Sequence, residues 1–162
     1  MLSIGIDPDT HGGISLLYGE VLVGFISIEF TPDWDLRLFE WCRDLNLRVA
    51  SIEKQVSRPY QNVRGAQKYM TVYGMAQAAV RCAGQHLVFV ESTAWQQAVG
   101  VAGLNRLEHD PKKRRTKNIA TYKKTVQESQ PFVKDWDKET MGDIYAATLI
   151  GIGGLRLQTG GK

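Results

Sequence analysis

The chain has 162 residues, 43% of them hydrophobic and 23% charged, with a formal net charge of +3. That balance suits one globular domain able to bury a full core. No stretch approaches the length of a membrane-spanning helix, and the most apolar one, Ile144 to Gly154, is too short and too glycine-rich.

The N-terminus enters an apolar run almost at once, without a basic leader, so no secretory signal is expected. Ile4 to Asp7 and Ile14 to Leu17 flank a Pro/Asp/Thr/Gly cluster, which predicts a hairpin of two strands. Val21 to Ile28 supplies a third strand after a Gly19-Glu20 turn. Thr31-Pro32-Asp33 predicts a helix start, with the threonine as cap and the proline at the first position. Trp34, Leu38, Trp41, Cys42 and Leu45 then recur at helical spacing, which places the tryptophans in the core. Val49 to Lys54 is a fourth strand, and Val56 to Arg64 reads as irregular. A long helix is predicted from about Gly65 to Ala83, stopped by Gly84. His86 to Val90 is a fifth strand, and Thr93 to Val99 a short helix opened by a Ser/Thr cap. A basic linker then leads to a helix from Thr116 to Ser129, and a last helix begins near Glu139. Three strands followed by alternating helices and strands predict an α/β fold, a mixed sheet flanked by helices. Cys42 and Cys82 lack metal-ligand spacing and are expected to be reduced core residues, not a disulfide.

Charge is unevenly spread. Residues 1–53 carry nine acids and three basic residues, whereas 54–127 carry thirteen Lys or Arg against Glu91, Glu108 and Asp110. No acid occurs from Lys54 to Val90. Such a stretch calls for an anionic partner or a nearby acidic site, and nucleic acid is the natural candidate. Lys54, Arg58, Tyr60, Arg64 and Lys68 are candidate DNA contacts in this stretch. Arg can meet phosphate or stack, and Tyr60 can stack on a base or anchor its loop. Lys112, Lys113, Arg114, Arg115 and Lys117 form a second basic run and are further candidate DNA contacts, although such a run taken alone is more often a solvated loop or a localisation-like tract than a specific contact.

Four acids stand where folding alone does not require them. Asp7 and Glu53 each end an apolar strand, where a carboxylate costs strand propensity and burial. Glu139 and Asp143 are four apart before an apolar helical run, so one helix face can carry both. Gathered carboxylates repel one another unless a cation compensates. Hard oxygen ligands suit Mg²⁺ or Mn²⁺, and a pair of such ions serves in-line displacement at phosphorus.

The ordered set of Gly5-Ile6-Asp7-Pro8-Asp9, Ile52-Glu53, Ser92-Thr93-Ala94-Trp95 with Val99-Gly100, Thr116-Lys117 and the late Asp143 resembles the RuvC type of Holliday junction resolvase, within the RNase H-like superfamily. The match runs over nearly the whole chain. Ile-Asp-Pro-Asp with a glycine-containing turn, and Ile-Glu-x-Gln, look most like the chloroplast (monokaryotic-chloroplast-type) branch, with phage RuvC-like proteins close behind. The resemblance implies an RNase H-like five-stranded sheet and a homodimer that binds four-way junction DNA and nicks two opposed strands symmetrically. It implies two Mg²⁺ or Mn²⁺ ions per active site and no nucleotide cofactor. Organelle nucleoids would be the location if the chloroplast branch holds, and the cytoplasm otherwise. Asp7, Glu53 and Asp143 match the family's metal-binding acids, Asp9 follows the chloroplast-like second acid, and Lys117 matches a family lysine segment near the cut. One position departs from the bacterial pattern. Three residues before the final Asp stands Thr140, and Glu139 is the nearest acid. The same acids would also serve an RNase H-like nuclease acting on RNA/DNA hybrids or branched DNA. A non-catalytic junction-binding module and an actin-like sugar kinase are further alternatives, the kinase needing a second domain for which 162 residues leave no room.

Overall fold

The computed structural model describes residues 1–54, 63–103, 108–135 and 144–160. Its strands are β1 (Leu2–Asp7), β2 (Gly13–Tyr18), β3 (Val21–Ser27), β4 (Leu47–Glu53) and β5 (Leu87–Val90). Its helices are α1 (Trp34–Asp44), α2 (Val63–Cys82), α3 (Ser92–Ala98), α4 (Pro111–Ser129) and α5 (Ile144–Gln158), with a 3-10 turn at Pro131–Asp135. The strands form one sheet in the order β3-β2-β1-β4-β5. The β1–β2 and β2–β3 pairs are antiparallel, while β4 runs parallel to β1 and β5. This is the mixed sheet flanked by helices that the pattern predicts.

Alternation along the strands builds two unlike faces. Ile4, Ile6, Ala50 and Ile52 meet Leu38 and Cys42 of α1 and Ala76, Ala79 and Val80 of α2. The opposite face is lined by small residues, because Gly5, Ser15 and Ser51 lie under α5. A Cβ on Gly5 would run into the Ala147 carbonyl oxygen and stand 2.5 Å from the Gly151 nitrogen. The Ser15 hydroxyl donates to that same Ala147 oxygen at 3.0 Å. The helix answers with Gly151 against Gly5 and Gly154 against Ser51, so its backbone lies almost on the sheet. Ile144, Leu149 and Ile150 then join Leu17, Val90, Trp95 and Val126 in a second core.

Two polar clamps fix the hairpin tip to the helices. The buried Gln130 side chain accepts from Leu22 N–H at 2.6 Å and donates to the Glu20 carbonyl at 2.8 Å. Arg156 donates twice to the Glu20 carboxylate at 2.7 Å and once to the Ala98 carbonyl at 3.0 Å. The guanidinium hydrogen bonds hold the Glu20 carboxyl below its ordinary range.

Several local expectations change. Thr31 does not cap α1, because the N-cap is Asp33 and its side chain pairs with Arg37 at 3.1 Å. Cys42 is buried, and burial pushes its thiol up to about 12, but Cys82 is exposed and not a core residue. Both are free thiols, as expected. The basic run is not a linker, since α4 begins at Pro111 and takes residues 112–117 into its first turns. Asp110 caps it by accepting from the backbone N–H groups of Lys112 and Lys113. Among the described residues no helix is long and apolar enough to cross a membrane.

Candidate active site

Asp7 and Glu53 are brought together by strand pairing. Ile6 sits opposite Ile52 in the parallel β1–β4 register, so the next residue on each strand is one of the two acids. Neighbouring strands lie about 4.8 Å apart. Both acids share the parity of Gly5 and Ser51, which puts them on the α5 side of the sheet. Asp7 also pairs with Gly13, and a Cβ on Gly13 would lie 3.3 Å from the Ile144 Cα, so the start of α5 stands at this same corner.

Glu53 is held from α3. The Ser92 hydroxyl donates a hydrogen bond to Glu53 Oε1, and the Trp95 indole N–H approaches the same oxygen at 3.4 Å. Ser92 is therefore not the expected helix cap: the cap position of α3 is Glu91, which makes no side-chain cap bond. Trp95 is buried, in keeping with a packing role, and its ring meets Tyr122 of α4 edge-on with centroids 5.5 Å apart. The Tyr122 oxygen accepts from Gln96 Nε2 at 3.2 Å. Burial pushes the Tyr122 phenol up to about 12, and the negative charges of Glu53 and Asp7 add to the effect. Both carboxylates thus act electrostatically on the same phenol. Gln96 and Tyr122 had no assigned role from sequence, and their signal is weak because it lies in packing between α3 and α4; Ser92 was read only as a cap and as part of a motif.

Asp9 is used locally. One carboxylate oxygen accepts from the Thr10 N–H at 2.6 Å and the Thr10 hydroxyl at 3.2 Å, while its carbonyl accepts from Gly12 N–H at 2.8 Å. Among the described residues, no group of three or more His, Cys, Asp or Glu is placed to hold a metal. Glu139 and Asp143, with Thr140, lie outside the described residues, as do Arg58 and Tyr60. The donor chemistry of Asp7 and Glu53 nevertheless fits a hard divalent cation, since two carboxylates converge on one corner of the sheet.

The described basic candidates fall into three places. Lys54 follows Glu53 directly and pairs with Glu91 at 2.6 Å. Arg64 and Lys68 are exposed on the first turns of α2. On α4, Lys117 pairs with Glu108 at 2.6 Å and Arg114 donates to the Glu108 carbonyl. Lys112, Lys113 and Arg115 are exposed and make no ion pair among the described residues. Cations in the first turns of a helix oppose its dipole, and α4 has no acid there to offset them.

No protein-family model matches the sequence, and no curated protein sequence does. Solved structures do match. Thermus thermophilus RuvC covers 99% of this chain and 97% of its own, with a TM-score of 0.65 at 17% identity. T. thermophilus RuvC in complex with a Holliday junction substrate gives the same coverage and TM-score at 14% identity. The fowlpox virus Holliday junction resolvase matches over 99% of both chains, with a TM-score of 0.56 at 10% identity. At these identities the shared property is the fold, over essentially the full length of each chain.

Proposed function

We propose that the chain is a Holliday junction resolvase, a structure-specific DNA endonuclease dependent on divalent metal. The observation that carries this reading is the pairing of Asp7 and Glu53 at one corner of a RuvC-like sheet, beside the start of α5. Asp7, Glu53 and Asp143 are the proposed metal ligands, with Glu139 as the fourth and Asp9 as its substitute. The chain re-enters described structure at Ile144, beside Gly13, which is where this assignment needs Asp143 to arrive. Two divalent ions bound there would supply stabilisation of the charge that builds on the phosphate during hydrolysis. Lys117 and Lys54 are the proposed phosphate contacts nearest the cut: Lys54 would exchange the exposed Glu91 carboxylate for a phosphate, and Lys117 the partly buried Glu108 carboxylate. An exposed ion pair is weak in water, so the Lys54 exchange costs little. The RuvC and poxvirus proteins supply the substrate, since one of the matched RuvC structures holds a Holliday junction. The chloroplast branch, and an organelle location with it, is supported only by Ile6-Asp7-Pro8-Asp9 and Ile52-Glu53-Lys54-Gln55.

A symmetric substrate calls for a symmetric enzyme, and we place the homodimer contact on α2. Its buried residues are Ala76, Ala79 and Val80, whereas Met70 and Met75 are exposed and a Cβ on Gly74 would meet nothing within 4 Å. The Gly74 face is thus not consumed inside the protomer. Isologous pairing through it would set two identical sites about a two-fold axis.

The direct test is cleavage of mobile and fixed four-way junctions with Mg²⁺ and with EDTA. Nicking with Mg²⁺ and none with EDTA is expected, and preferential cutting of an RNA/DNA hybrid would replace this reading. Replacing Lys112, Lys113, Arg114 and Arg115 together by alanine should weaken binding to every DNA shape. It should also flatten the dependence of affinity on salt, by about 0.9 in the logarithmic slope for each phosphate no longer neutralised. Because these cations oppose the α4 dipole, the same variant should melt no lower than the parent. An unchanged salt slope in filter or anisotropy titrations would leave the run a solvated helix end.

A further inference from the structure

We infer that Ser92, supported by Trp95, is a positioning residue that fixes the rotation of the Glu53 carboxylate for a divalent cation. This deepens the proposed role of Glu53 and rests on that reading. Both donors come from α3, three residues apart and so on one side of the helix, and both address Oε1. A carboxylate at the end of a strand rotates about its last side-chain bonds. Two donors on one oxygen remove that freedom, which is how outer partners tune a metal ligand.

The platform behind the donors is fixed on three sides. A Cβ on Gly153 of α5 would lie 2.8 Å from the Trp95 Cβ and 3.0 Å from its Cα, so α5 lies directly against the backbone of α3 at Trp95. Arg156 holds the Ala98 carbonyl at the far end of α3. Gln96 and Trp95 meet Tyr122 of α4.

A purely structural tie between β4 and α3 is the competing job. The backbone already joins β4 to β5, and α3 leads off from the end of β5: Glu53 pairs with Val90 in the β4–β5 register, and Lys54 N–H donates to the Val90 carbonyl at 2.8 Å.

The test is Mn²⁺ binding to the DNA-free protein by titration calorimetry, together with the Mn²⁺ dependence of junction nicking. Ser92→Ala should weaken Mn²⁺ binding by roughly 10-fold or more, within the about 10–100-fold range of outer partners of metal ligands. The Mn²⁺ concentration for half-maximal nicking should rise by the same factor, with the maximal rate recovered at saturating Mn²⁺. Ser92→Thr keeps the hydroxyl and should restore both values. Trp95→Phe should shift affinity in the same direction by less. Parental Mn²⁺ affinity in folded Ser92→Ala overturns the inference. Should Ser92→Ala fail to fold, parental affinity in Trp95→Phe overturns it instead. A parent protein that binds no Mn²⁺ also overturns it. A parent that binds Mn²⁺ but cuts no junction removes the resolvase reading, and the Ser92 role then stands or falls on the affinity difference.

Discussion

Asp7→Asn and Glu53→Gln should each lower single-turnover cleavage of a four-way junction by at least about 10²–10³-fold, the scale on which losing one electrostatic stabiliser of a transition state is felt. Junction affinity measured without divalent metal should hold or rise. Each substitution removes a charge that repels phosphate as well as a proposed ligand for the cation. The fold gives both residues the same standing, as the residues that follow the paired Ile6 and Ile52. A rate near the parent's in either variant removes that residue from the site. The two effects should also fail to add in the double variant, because the acids act as a unit.

Gly5→Ala is expected to be the most damaging single substitution in the sheet. Its Cβ would meet the Ala147 carbonyl oxygen and stand 2.7 Å from the Gly151 Cα. These neighbours are backbone, so no rotamer change relieves the clash and α5 must lift. Ordinary overpacking costs about 1–3 kcal/mol, and this site should exceed that. For a chain of this size each kcal/mol moves the melting temperature by about 2–4 °C, so a fall of about 6 °C or more is predicted. Lifting α5 also displaces Ile144 from Gly13, so cleavage should fall with stability. Gly74→Ala is the comparison, melted under conditions where the protein is monomeric because this face is the proposed dimer contact; within the protomer its Cβ meets nothing within 4 Å in a helix interior. It should stabilise by about 0.5–1 kcal/mol through helix propensity. Equal melting temperatures for the two variants would show that α5 does not rest on β1 as described.

What was legible in the sequence was local. Strand runs, the Gly19 turn and the Gly84 stop follow from alternation and turn chemistry, and both glycines have positive φ. Asp7 and Glu53 stand out because an acid ending an apolar strand contradicts its neighbours. What was not legible depended on tertiary neighbours. Ser92 reads as a helix cap from its own position, yet its hydroxyl serves a carboxylate 39 residues away. Tyr122 is one aromatic in a basic helix until α3 is packed against it. The four consecutive cations hid the start of α4, because a helix dipole disfavours them there. The Asp110-Pro111 pair, a capping acid followed by proline, was the signal that could have placed it. The exposed Cys82 lies at the end of α2, just past the face that α1 covers.

Symmetric resolution of a four-way junction can be followed on a supercoiled plasmid that extrudes a cruciform. With Mg²⁺, a two-fold dimer should cut both opposed strands within one encounter. The plasmid should pass straight to linear form, with nicks mapping to symmetry-related positions across the junction. Accumulation of nicked circles from single-strand cuts, by a protein that stays monomeric on the junction, would contradict the account.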